Sequence, residues 1–283
     1  METKSMSLKR VIIVSILAIF LSAIFAILVH AILPASVNPE KFNSILVQWL
    51  GFPAVATLYF VLLFTHCTIG VRYVGLRTAA LKIQIGILFG IAYAMIYLLG
   101  MQEIIVDYSP FSTWGLDFIK YQFLIGIGDG IPAFLLCLII SYFTLRNNRQ
   151  NKAIPTLGLK KSIGVIAILA VAILVERTIF YQLGLVNSER ATYPIPCYLW
   201  TALFGVLMGL IYVILRPLLS YGNRRIFWAI PLRFTLTIGL NWIIFNSFMG
   251  LIIKGAMPQM LLRSGLDVFV LFLISAGLEK LLS

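Results

Sequence analysis

The chain has 283 residues, of which 61% are hydrophobic and 11% charged, and its mean hydropathy is +1.00. An average soluble domain is about half apolar and about a quarter charged, so this composition excludes a soluble globular protein. The net charge of +12 would suit a nucleic-acid-binding protein, but the basic residues lie in connections between long apolar segments. We therefore predict an all-α, polytopic membrane protein that contacts membrane lipids and has no nucleic-acid partner.

Eight segments are apolar and long enough to cross a bilayer as helices, which requires about 20 residues. Barrel strands alternate in polarity at every second residue, and these segments do not, so helices are predicted. The first apolar run exceeds the roughly 7–15 residues of a signal-peptide core, and we expect it to be retained. The predicted spans cover residues 11–33, 45–66, 80–101, 122–145, 162–184, 196–215, 234–253 and 264–281, of which the last is the weakest.

Basic residues are distributed unequally between the two sides that eight alternating spans define. They precede the first span, follow each even-numbered span and close the chain at Lys280. The positive-inside rule therefore predicts a multi-pass protein of the cell membrane with both termini in the cytoplasm. The basic side is also suited to contact anionic lipids. The basic residues expected on the opposite side are Lys41, Lys120, Arg190, Lys254 and Arg263.

Several residues recur at an offset of 150 or 151 along the chain. Trp49 recurs as Trp200, the Gly-Leu-Asp that ends at Asp117 recurs at Asp267, and Asp129 meets a second acid at Glu279. Repeats of this kind predict two like halves. Four spans on each side of a basic linker at 146–161 would give both halves the same orientation. We expect a parallel 4+4 duplication of residues 1–150 and 151–283 with a site between the halves; chance alignment of apolar sequence is the alternative.

Asp129 is the first candidate site residue because it lies well inside the fourth predicted span. A carboxylate in lipid is costly and usually marks a function. Pro132 removes the helical partner of the Gly128 carbonyl, and nearby glycines loosen the helix, so one prediction is a local break. Transporters hold ions and substrates at such interrupted helices. The alternative is a kinked helix in which Asp129 hydrogen-bonds a neighbouring residue.

Glu176 and Arg177 are the second candidates, since both lie inside the fifth predicted span. Adjacent residues point about 100° apart on a helix, so one is expected to meet another helix while the other reaches a cavity. Arg177 is a candidate counter-ion for Asp129 or Asp267, or a bidentate ligand of an anionic substrate. The alternatives are a structural ion pair that fixes helix order, or snorkelling of the side chain towards the outer surface.

Three further acids are placed near predicted helix ends. Asp117 and Asp267 would begin the fourth and eighth spans, where the helix dipole favours an acid, so capping is preferred to binding. Glu279 is expected at the inner interface beside Lys280, which argues against a symmetric pair with Asp129.

Amides and small residues indicate contacts between helices. Asn241 and Asn246 lie five residues apart in the seventh predicted span, and they are expected either to bridge helices or to line a pathway. Two GxxxG pairs predict close helix approach: Gly86 with Gly90, and Gly205 with Gly209.

The sequence leaves the function open between three classes. The leading hypothesis is a transporter or binding protein for a small solute, an ion or a lipid, with its site near Asp129 and with Arg177 or Glu176 opposite. The second is an enzyme acting on a lipid or polyprenyl substrate, with its acids at Glu103, Asp107 and Asp117. The third is an accessory subunit of a membrane complex. The cysteines and histidines show no metal-binding spacing, and neither a metal nor a cofactor is predicted.

Overall fold

A computed structural model describes residues 7–33, 42–100, 115–146, 156–188, 190–191, 193–221 and 227–282, with the backbone alone described for 115–121. Within these ranges the chain forms helices and short connections, with no strand. The helices are α1 (Leu8–Ile32), α2 (Ile45–Leu50), α3 (Phe52–Gly75), α4 (Lys82–Gly100), α5 (Gly115–Thr144), α6 (Leu159–Gln182), α7 (Pro194–Leu219), α8 (Ala229–Phe234), α9 (Leu240–Ile252) and α10 (Met257–Leu282).

Eight spans are confirmed as helices long and apolar enough to cross a membrane. The seventh is composite: α8 passes through one turn of π-helix, Thr235–Gly239, and continues as α9. Seven spans are single helices, with α2 as a short additional helix before α3. The protein is therefore an all-helical, multi-pass membrane protein.

Several predicted boundaries are wrong, and local chemistry explains the start of the second span. The second span begins at Phe52 and not at residue 45, because Gly51 adopts a positive φ of 80° and Pro53 starts a new helix. Ser44 instead caps the separate helix α2 by accepting a hydrogen bond from the Val47 amide. The last span begins at Met257, seven residues before the predicted start, and this difference changes the role of Asp267.

The spans divide into two groups by their order in the chain. We call α1, α3, α4 and α5 the first group, and α6, α7, the composite seventh span and α10 the second group. Between the groups, α3 packs against α9 and α4 packs against α7. Stacked rings fill part of this boundary: Trp200 and Phe204 of α7, Trp242 and Phe245 of α9, and Tyr97 of α4, with successive centroids 4.5–6.0 Å apart.

Glycines allow the closest helix contacts, as the GxxxG pairs predict. A Cβ at Gly205 would lie 2.7 Å from the Cα of Ala170, and one at Gly209 would lie 2.7 Å from the Cα of Ile166. The backbones of α6 and α7 therefore touch at these positions. In the first group, α4 and α5 approach in the same way at Gly86, Gly90, Gly126 and Gly130.

We expect Gly205→Ala to lower the thermal stability, since the added methyl group would force α6 and α7 apart. Overpacking of this kind typically costs about 1–3 kcal/mol. Gly164→Ala is the matched control on α6, because its Cβ would have no atom within 4 Å. Unfolding midpoints of the purified proteins in detergent measure the difference. Equal midpoints for the two variants would contradict the close approach.

Candidate functional site

A buried ion pair joins α6 to α10. The Arg177 guanidinium donates two parallel hydrogen bonds to the Asp267 carboxylate, from Nε at 2.8 Å and from Nη2 at 2.7 Å. Both side chains are inaccessible to solvent. Of the two counter-ions predicted for Arg177, the structure selects Asp267. This geometry is the strongest available to an arginine and a carboxylate, since two charge-assisted bonds share one plane.

Residues of α6, of the seventh span and of α10 complete the polar surroundings of this pair. The indole Nε1 of Trp242 donates to the second Asp267 oxygen at 2.9 Å, and the third Arg177 nitrogen, Nη1, lies 3.4 Å from the Tyr181 hydroxyl. One turn before Asp267 on α10, Arg263 donates to the Asn246 amide oxygen at 3.1 Å. We call Glu176, Arg177, Tyr181, Trp242, Asn246, Arg263 and Asp267 the polar cluster; all its members are buried.

Two predictions about this region are wrong. Asp267 does not cap a helix, because α10 starts ten residues earlier at Met257 and carries Asp267 into the bundle. Arg263 does not lie in an external connection, because it belongs to the same helix and is 1% exposed. The apolar run that suggested a start at residue 264 leaves out the first turns of α10, which contain Gln259 and Arg263.

Glu176 faces a groove between α6 and α10. Its carboxylate lies 3.7 Å from Arg177 Nε, and the residue is 5% exposed. The groove encloses about 660 Å³ and is otherwise lined by apolar side chains. The expected division of roles for adjacent helical residues is therefore found, with Arg177 bound to α10 and Glu176 lining a cavity. The apolar lining residues are Ala167, Ile168, Val171, Ala172, Val175, Ile179, Phe180, Val270 and Ile274.

Asp129 is bound by a residue that the sequence reasoning did not select. Nε2 of His30, near the end of α1, lies 2.5 Å from Asp129 Oδ1, and the His30 ring stacks on Phe60. The helix α5 continues through Pro132, so the predicted break is wrong and the hydrogen-bonded alternative holds. The structure does not bring Asp129 together with Glu176 or Arg177, which bind within the other group of helices. A histidine at the end of an apolar span was the available signal.

Asn241 bridges helices at the boundary between the two groups. Its amide oxygen accepts from the Tyr97 hydroxyl at 3.0 Å, and its nitrogen lies 3.3 Å from Nδ1 of His66. Nε2 of His66 lies 3.1 Å from the Leu236 carbonyl in the π-helical turn. A π-turn leaves carbonyls without their usual partners, and His66 binds one of them. Because α3 extends to Gly75, His66 lies inside a span and not at its end as expected.

Glu279, the remaining acid whose side chain the structure describes, lies away from the polar cluster. Glu279 is buried near the end of α10, where Arg216 binds both its oxygens and the Tyr212 hydroxyl donates to one of them at 2.7 Å. Asp117 is in the first turn of α5 by its backbone, and its side chain is outside the described residues. Glu103 and Asp107, proposed for an enzyme, also lie outside them. Asn246 bridges α9 to α10 by accepting a hydrogen bond from Arg263. Of the two roles predicted for Asn246, this is the bridging one.

The described residues contain no group of three or more histidine, cysteine or acidic side chains that could hold a metal ion. The polar cluster carries two acids and two arginines, so its formal charges balance.

Comparison with known proteins gives no assignment: no protein-family model, no curated protein and no solved structure matches this chain.

Single replacements in the central pair, Arg177→Met or Asp267→Leu, should destabilise the protein by about 3–5 kcal/mol each, because each leaves one buried charge unpaired. The double variant removes both charges and should recover most of the loss. Thermal unfolding of the purified proteins measures these effects, with the exposed Lys161→Met as the control for lost charge. A double variant that loses as much as both single variants combined would argue against a closed pair.

Proposed function

We propose that this protein binds, as a transporter or as a binding protein, a lipid or lipid-like amphiphile that reaches the α6–α10 groove from within the bilayer. One observation carries the proposal: a long apolar groove inside the membrane-spanning region ends at a buried carboxylate. Ligand sites are mostly apolar clefts with a few polar groups that fix orientation, and this groove has that composition.

The position of the groove selects molecules that are dissolved in the membrane. Val171 and Val175 line it and are 59% and 51% exposed, so its mouth faces the same surroundings as the outer surface of α6. In a bilayer these surroundings are hydrocarbon. A water-soluble solute or a bare ion would have to cross that hydrocarbon to reach Glu176, whereas an acyl or isoprenoid chain would not.

The length of the groove suits a single chain. Its lining runs along α6 from Ala167 to Phe180, which corresponds to about 20 Å at 1.5 Å per residue. One leaflet contributes roughly 15 Å of hydrocarbon. Glu176 lies near the end of α6, so the polar end of the ligand would lie towards one membrane surface and its chain towards the bilayer centre.

We also propose that the two groups of helices are duplicated copies of one four-helix unit. Asp129 and Asp267 stand the same number of residues before the ends of α5 and α10, Thr144 and Leu282. Each is bound by a basic residue from the first helix of its own group, His30 or Arg177. This common arrangement supports the duplication. It makes Asp267 the counterpart of Asp129, whereas the sequence match had paired Asp129 with Glu279.

We expect Ala172→Trp to remove bound lipid, because the indole would occupy the groove. Native mass spectrometry of gently purified protein measures the lipid that remains bound. Ile163→Trp is the matched control, since Ile163 is exposed on α6 and does not line the groove. The proposal is wrong if wild type and both variants retain the same lipids in the same amounts.

The proposed orientation, with termini and the 146–161 linker in the cytoplasm, has a separate test. Cys67, Cys137 and Cys197 are buried, so a membrane-impermeant maleimide should label introduced cysteines selectively. In intact cells Asn187→Cys should react, and Lys160→Cys should react only after permeabilisation. The opposite pattern would reverse the orientation.

A further inference from the structure

Two arginines on the basic side of the bundle have no acidic partner. Of the acids that the structure describes, Glu279 lies on this side, and Arg216 binds both its oxygens. Arg77 and Arg233 take part in none of the ion pairs among the described residues. The sequence offers no other partner nearby, because no aspartate or glutamate occurs in the three connections on this side, 76–81, 145–161 and 220–233.

We infer that Arg77 and Arg233 bind the phosphate of one anionic phospholipid, between the end of α3 and the start of the seventh span. This site is separate from the α6–α10 groove, and it does not depend on the function proposed for that groove. Basic pockets between membrane helices are known as binding sites for anionic headgroups.

The end of α3 and the start of the seventh span lie side by side. The two spans run in opposite directions, and near one end of their contact the Tyr59 hydroxyl lies 3.4 Å from the Phe245 carbonyl oxygen. Towards the basic side, a Cβ at Gly70 would lie 3.7 Å from the methyl group of Thr237. Further turns in the same direction bring the last residues of α3 beside α8, which carries Arg233.

Each guanidinium group lies over a tyrosine ring. Cζ of Arg77 is 4.1 Å from the centroid of the Tyr73 ring, and Cζ of Arg233 is 3.8 Å from that of Tyr221. Nη1 of Arg77 donates to the Tyr73 carbonyl at 2.8 Å. Nη1 of Arg233 donates to the carbonyls of Leu219 and Tyr221, both at 2.6 Å. Stacking and these hydrogen bonds hold both groups in place before a ligand arrives.

Tyr221 connects the two stacks. Burial raises the pKa of its hydroxyl to about 12, the neighbouring Tyr73 hydroxyl also raises it, and the positive charges of Arg233 and Arg77 lower it. A charge shifts a pKa appreciably only from a short distance, so both guanidinium groups lie near this one ring. Nε and Nη2 of Arg233 have no hydrogen bond to a described residue, and such an edge binds phosphate through two parallel bonds.

The apolar surroundings select a lipid phosphate over a free phosphate ion. Leu76 and Leu232 adjoin the two arginines in sequence, and both side chains are exposed. Phe227 and Trp228, just before α8, are exposed as well. Tryptophan is enriched at the boundary between hydrocarbon and headgroups, which is the depth of a phospholipid phosphate. The acyl chains of a bound lipid can pack on these side chains, whereas a free ion gains nothing from them.

The test measures the binding of single lipids to the purified full-length protein by native mass spectrometry. Palmitoyl-oleoyl phosphatidylglycerol is titrated, with phosphatidylcholine of the same chains as the uncharged reference. We expect Arg77→Gln to weaken binding of the first phosphatidylglycerol about tenfold, which corresponds to one lost hydrogen bond between charged groups. Arg233→Lys keeps the net charge and should also weaken binding, because an ammonium cannot form the two parallel bonds.

Two controls separate this site from general attraction and from the groove. Arg10→Gln removes an exposed arginine from the same side, and Ala172→Trp blocks the groove, so both should bind phosphatidylglycerol as the wild type does. Thermal midpoints establish that each variant is folded. If Arg233→Lys does not fold, the exposed Arg77 decides, since its replacement leaves the carbonyls at the end of α7 bound.

Three outcomes would overturn the inference. Equal affinities of Arg77→Gln and Arg10→Gln would leave only an attraction by net charge. Loss of phosphatidylglycerol in Ala172→Trp would place this lipid in the groove. Displacement of phosphatidylglycerol by millimolar inorganic phosphate would identify a site for a free anion. A failure of the proposed function is a different result, in which Ala172→Trp retains the same co-purified lipids as the wild type while Arg77→Gln still weakens binding of phosphatidylglycerol.

Discussion

The ion pair between Arg177 and Asp267 is the interaction on which the second group of helices depends. A charged side chain within the hydrocarbon is costly, so Arg177 must face the interior and bind an acid. Asp267 supplies that acid from α10, and Trp242 ties the seventh span to the same carboxylate. Once Arg177 points inward, its neighbour Glu176 is turned by about 100°, which directs it to the groove beside α10. The candidate site is therefore a geometrical consequence of the pair.

In the first group of helices a buried acid is also bound by a basic residue, but the two residues are different ones. There His30 binds Asp129, and α1 and α5 come close because a Cβ at Gly128 would lie only 3.0 Å from Val29. If the two acids correspond, as we propose, Leu266 takes the place of Gly128 beside Asp267.

The boundary between the groups is held by side chains bound to backbone carbonyls as well as by stacked rings. The π-helical turn exposes the carbonyls of Leu236 and Thr237, and these accept hydrogen bonds from His66 and from the Tyr93 hydroxyl respectively. Each bond joins a helix of the first group to the seventh span of the second. Unsatisfied carbonyls are expensive in a membrane, so these contacts fix the relative position of the two groups.

The sequence by itself determined the class of protein, the presence of eight spans and the glycine contacts, and it selected Asp129, Glu176 and Arg177 as candidates, whereas it assigned Asp267 to a helix cap. These follow from composition and from the cost of polar groups in lipid, which depend on residue type and spacing along one helix. Only the tertiary structure decided which residues bind these charged side chains. Arg177 could have met either of two acids, and the sequence did not pair His30 with Asp129 although both lie in apolar spans, because helices close in space are far apart in the chain. The groove likewise exists only once α6 and α10 are placed side by side, since it is a space between two surfaces and not a property of either sequence segment.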